Sequence, residues 1–71
     1  MGDSSVYVVV NRDLETFRTS AESPEEAAVK AAEHWSKSGV VVVVKAVGPG
    51  AGQISTVTVR PLVAYEAEVI A

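Results

Sequence analysis

Two runs of consecutive apolar residues, Val6-Tyr7-Val8-Val9-Val10 and Val40-Val41-Val42-Val43-Val44, constrain this chain more than any other feature. β-Branched side chains are stiff at χ1 and pack well on a pleated surface, so both runs read as strands. Successive strand side chains point to opposite faces, so five apolar residues in a row make both faces apolar. Such strands belong inside a sheet and call for cover on two sides. The rest of the sequence supplies one covering element.

That element is Ser23 to Gly39, SPEEAAVKAAEHWSKSG. Ser23 suits an N-cap, Pro24 fits the first helical position, and Glu26 three residues after the cap completes a capping box. Glu22, Glu25 and Glu26 favour the positive end of the helix dipole and Lys37 the negative end, while Gly39 can close the last turn in the left-handed conformation. Ala28, Ala31, Ala32 and Trp35 share a face at helical spacing. Glu26 with Lys30, and Glu33 with Lys37, make ion pairs elsewhere. The reading is one amphipathic helix laid on a sheet.

The remaining segments supply partner strands. Asn11-Arg12-Asp13 has turn chemistry, and Leu14 to Glu22 alternates loosely, with Phe17, Thr19 and Ala21 on one side and Thr16, Arg18 and Ser20 on the other. After Val40–Val47 comes the turn Gly48-Pro49-Gly50-Ala51-Gly52, and Ile54 to Arg60 then sets Val57 and Val59 opposite Thr56, Thr58 and Arg60. Pro61 marks a turn or a bulge, because it cannot donate to a ladder. The last segment, Leu62 to Ile70, places Val63, Tyr65, Ala67 and Val69 opposite Glu66 and Glu68. The expected fold is α+β, an antiparallel sheet of four or five strands with one helix on one face, in the order β-β-α-β-β-β. Residues 1–71 form one domain, with residues 1–5 as a flexible leader.

Fifteen valines and ten alanines against four aromatics imply a core of small pieces. A net charge of −3 disfavours attraction to nucleic acid or to an anionic membrane surface. No apolar run approaches the roughly 20 residues of a membrane span, and MGDSS lacks the basic and apolar regions of a signal peptide. A chain without cysteine suits the cytoplasm, the expected location.

Motifs for chemistry are sparse. His34 is the sole histidine and has no cysteine to join it in a transition-metal site. The GPGAG stretch joins two strand-like runs, unlike a phosphate loop, which leads from a strand into a helix. Glu66 and Glu68 lie about 7 Å apart along a strand, a spacing that a solvated or charge-protected edge explains. Arg12, Arg18 and Arg60 lack the interleaved aromatics of a nucleic-acid platform. The sequence therefore points to no enzyme, cofactor, metal or small-molecule substrate, and to a protein partner or to itself as a homodimer.

The excess of apolar strand surface is what suggests a contact. Taking Lys45 to mark the solvent side of Val40–Val47 places Val41, Val43 and Val47 on that side and turns Val40, Val42, Val44 and Ala46 to the helix. Tyr7, Val9, Val41 and Val43 then form a patch facing away from the helix, with Arg18 and Lys45 as polar neighbours, and these six residues are the expected contact set. All depend on one choice of face.

In its organisation, a few antiparallel strands carrying one helix, the chain resembles small phage-encoded anti-CRISPR inhibitors, which implies a non-catalytic protein that blocks a host complex by surface contact. The hairpin followed by a helix opening with Ser23, Glu25 and Glu26 also resembles the amino-terminal domain of HicB-type antitoxins, although that family's proline- and glycine-containing segment ahead of the helix is missing here.

Overall fold

A computed structural model describes residues 4–61 and 65–70. Its elements are β1 (Ser5–Val10), β2 (Thr16–Ala21), α1 (Pro24–Trp35), β3 (Gly39–Val47), β4 (Ile54–Pro61) and β5 (Tyr65–Val69). The fold is α+β: five antiparallel strands in the order β2-β1-β3-β4-β5, with α1 on one face. Each apolar run has a strand on either side of it, β1 between β2 and β3, and β3 between β1 and β4.

Asn11 builds the first hairpin. Its side-chain oxygen accepts from the N–H groups of Asp13 (3.0 Å) and Glu15 (2.9 Å), which turns the chain through Leu14 in the left-handed region. The glycine-rich segment is the second hairpin turn, with the Lys45 N–H donating to the Gln53 carbonyl at 2.9 Å and the Gly52 N–H to the Lys45 carbonyl at 2.7 Å. Pro61 ends β4 opposite Tyr65. Its choice between turn and bulge depends on residues 62–64, which lie outside the described residues, as do residues 1–3 of the expected leader. Ser5 is not leader: it opens β1 and is buried.

The helix starts as expected, the Ser23 hydroxyl accepting from the Glu26 N–H at 3.2 Å, but it ends early. Ser36 adopts the left-handed conformation (φ 55°) and closes the helix, so Gly39 opens β3 instead of capping α1. Lys37 is consequently released from the expected pairing with Glu33. It reaches back to the first hairpin, 3.2 Å from the Asp13 carboxylate and 3.0 Å from that of Glu15. Hydrogen bonds from Asn11 and then Lys37 lower the Glu15 pKa, and the bonds to Glu15 and then Asp13 raise that of Lys37. Glu15 therefore adds stability that is complete above the ordinary carboxylate range and lost as pH falls through its lowered value. Lys37 adds stability complete below the ordinary lysine range and lost as pH rises through its raised value. All three side chains are solvent-exposed, so the gain is small and screened by salt. Urea titrations of Lys37→Met and the parent protein are expected to differ slightly in dilute buffer near neutrality and to coincide at 1 M salt.

The core is thin. From α1 it takes Ala27, Ala28, Ala31 and Ala32, from the sheet Tyr7, Val9, Ala21, Val41, Val43, Val57 and Val59, and Phe17, Trp35 and Ala67 pack at its margin. Its largest fully buried side chains are valines. Alanine lets the helix backbone approach the sheet closely, so contact is made by proximity and not by long side chains. Among the described residues no helix is long and apolar enough to cross a membrane.

Candidate functional site: the uncovered valine face

Strand register decides which residues α1 covers. Tyr7 is opposite Thr19 and Lys45, Val9 opposite Phe17 and Val43, and Val41 opposite Val57. Directly paired residues share a face, so these all lie on the helix side. There Val9 is 0 %, Val43 1 %, Tyr7 4 % and Val41 7 % exposed. The four apolar residues expected to form the contact patch are thus core, and the expected facing is inverted.

Lys45 is the source of the inversion. It lies on the helix side, half-buried, with its ammonium 6.0 Å from the centroid of the Tyr7 ring. A lysine stem can run along apolar surface while its head stays in water, so this lysine marks the end of the core and not the solvent face. Arg18 keeps its expected place beside the uncovered face, exposed on β2 opposite Val8. Tyr7, Val9, Val41, Val43 and Lys45 do not join it there.

The uncovered face carries the alternate residues in adjoining rows. One row runs from Arg18 through Val8 and Val44 to Ile54, and the next from Thr16 through Val10 and Val42 to Thr56. Val40 pairs with Thr58, which pairs with Glu68. A register shift between Val6 and Tyr7 leaves Ala46 as an extra residue in β3, so that Val47 faces Val6 and extends the apolar surface. Val42 is 37 % exposed, Val47 53 % and Ile54 67 %. The result is a contiguous valine-rich surface on the middle strands, bordered by Thr16, Arg18 and Ser20 along β2 and by Glu66 and Glu68 along β5. Arg60 donates to Glu68 at 2.6 Å.

The chain matches no family model, no curated protein and no solved structure.

Other parts of the molecule offer less. A groove at the C-terminal end of α1 is lined by Arg12, Asp13, Trp35, Lys37 and Val41 among others, and contains no nucleophile paired with a base. His34 lies outside it, exposed and stacked on Phe17 with ring centroids 4.6 Å apart, and Phe17 in turn meets Trp35 edge-on at 6.2 Å. His34 thus belongs to an aromatic cluster bracing β2 against α1. No group of three or more His, Asp or Glu residues suited to a metal occurs among the described residues.

The signal that locates the true face was present in the flanking strands. On β4, Val57 and Val59 alternate with Thr56, Thr58 and Arg60, which marks the Val57 side as the core side. The β3–β4 register pairs Val41 with Val57 and so carries that side to Val41 and Val43.

Proposed function

We propose that the protein is a non-catalytic binding domain that contacts another protein through the uncovered face of its sheet. The supporting observation is the valine surface centred on Val8, Val10, Val42 and Val44, continuous across β1 and β3 and bordered by polar residues. Large apolar patches with polar rims are the usual form of a protein contact, because water is released from the centre while the rim sets orientation. In its most specific form the proposal is an inhibitor of the kind encoded by phages and mobile elements, acting in the cytoplasm by occupying a target surface. The strand-and-helix organisation supports this form.

Photocross-linking tests the contact. A benzoylphenylalanine introduced at position 42 is expected to form a covalent protein adduct inside the producing cell, and one at Glu33, exposed on α1, none. Equal yields from the two positions, or no adduct from position 42, would contradict the proposal.

A further inference from the structure

We infer that the outer edge of β2 is a second contact site, distinct from the uncovered face. It takes an extended segment of another protein as a sixth, antiparallel strand, with an acidic residue opposite Arg18 and an apolar residue opposite Phe17.

The backbone of this edge is open. β2 ends the sheet and pairs with β1 alone. In an antiparallel ladder, pairs that exchange hydrogen bonds alternate with pairs whose N–H and C=O groups point away. The Asn11 N–H donates to the Glu15 carbonyl at 3.1 Å, so Asn11–Glu15 is an exchanging pair, and by alternation so are Val9–Phe17 and Tyr7–Thr19. Thr16, Arg18 and Ser20 therefore turn their backbone groups outward. The Ser20 carbonyl has this direction, since it accepts from the ammonium of Lys30, on α1, at 2.8 Å. That lysine closes one end of the edge, a usual guard against strand addition. Among the described residues no group bonds the outward N–H and C=O of Thr16 or Arg18. Such a row of unpaired groups is what an added strand binds.

Side chains beside the edge select the segment. Residues directly opposite one another share a face, and their side chains touch. A residue opposite Arg18 shares the uncovered face with it, where the adjoining Thr16, Ser20 and Val8 carry no charge. Arg18 makes no ion pair among the described residues, so a carboxylate there meets a guanidinium that has no competing partner. The next residue of the segment falls opposite Phe17, on the helix side. Phe17 is half-buried and stacked on the exposed His34 at 4.6 Å, so an aromatic or aliphatic side chain extends an apolar surface already begun. In an antiparallel strand this apolar residue follows the acidic one directly.

Peptide display against the immobilised full chain, followed by amide hydrogen exchange read by NMR, tests the inference. Selection from a random peptide library is expected to enrich sequences in which aspartate or glutamate is followed directly by an aromatic or aliphatic residue. In the free chain the Thr16 and Arg18 amides should exchange fast and those of Phe17 and Thr19 slowly. A selected peptide at saturation should slow Thr16 and Arg18 by about tenfold or more and change Phe17 and Thr19 little. Arg18→Glu, at an exposed position, should weaken that peptide about tenfold, and selection repeated on this variant should favour lysine or arginine in place of the acid. No enrichment over the unselected library, or enrichment with no preference for an acidic residue, would overturn the inference. Thr16 and Arg18 amides that exchange slowly before any peptide is added would show the edge already filled by a second copy, and would also overturn it. Selected peptides that leave those two amides unchanged but shift the resonances of Val8 and Val42 would overturn the edge and leave the uncovered face standing as the contact.

Discussion

Replacing Ala31 with leucine is expected to cost the fold about 3 kcal/mol, the upper part of the usual range for overpacking a core. Ala31 is fully buried, as are Ala27 and Ala28. The helix therefore meets the sheet through methyl groups, over Val9, Val43 and Val57. A leucine adds three carbons at a position that has no exposed surface to receive them. It must either leave its rotamer or lift α1 from the sheet, and lifting would weaken the contacts of every other alanine on the same face. Total stability in a chain of this length is roughly 4–10 kcal/mol, so the loss is a large share of it. Urea denaturation followed by the fluorescence of Trp35 reads the effect as a lowered midpoint. Glu33→Leu, on the exposed side of the same helix, should shift the midpoint little.

A comparable loss, about 3 kcal/mol, is expected for Gly48→Ala, in which a clash adds to backbone strain. Gly48 holds φ at +124°, a region that side chains rarely adopt. A Cβ placed there would overlap the Ser5 hydroxyl and come within 2.9 Å of the Ser5 Cβ. Ser5 is itself buried, which limits its escape. Gly39 separates the two contributions: it has the same φ, but its added Cβ would meet nothing within 4 Å. Gly39→Ala should therefore show the strain alone, about 1–2 kcal/mol. Adding Ser5→Gly to Gly48→Ala should recover the steric part relative to Ser5→Gly alone and leave the strain. Equal losses at Gly39 and Gly48, measured by urea denaturation, would mean that Ser5 yields freely.

These sites show which parts of the structure local sequence can specify. The strand runs, the Ser23 cap, both hairpins and the α+β class followed from β-branching, capping chemistry and turn residues, all of which act over a few neighbours. The helix C-terminus did not, because Ser36 takes a left-handed conformation that glycine ordinarily supplies, and Lys37 gains two carboxylates from a hairpin more than twenty residues earlier. The facing of the sheet was hardest to read. Val6–Val10 and Val40–Val44 are apolar on both sides and cannot report which side is covered. One charge, Lys45, outweighed the clearer alternation of β4, although a lysine at the end of a core can bury its stem and keep its head in solvent. Because side chains alternate with a period of two, that choice exchanged Val41 and Val43 for Val40, Val42 and Val44 throughout the patch.

Thiol labelling of single-cysteine variants tests the central claim, that α1 covers one face of this sheet and a protein covers the other. The chain has no cysteine of its own, so Val42→Cys and Val43→Cys report separately on adjacent positions of opposite face. The expected result is that Val43→Cys resists maleimide throughout, whereas Val42→Cys reacts quickly in the purified protein and becomes protected in lysate of the producing cell. Equal reactivity at the two positions would contradict the assignment of faces. A Val42→Cys thiol that stays fully reactive in lysate of the producing cell would contradict the contact.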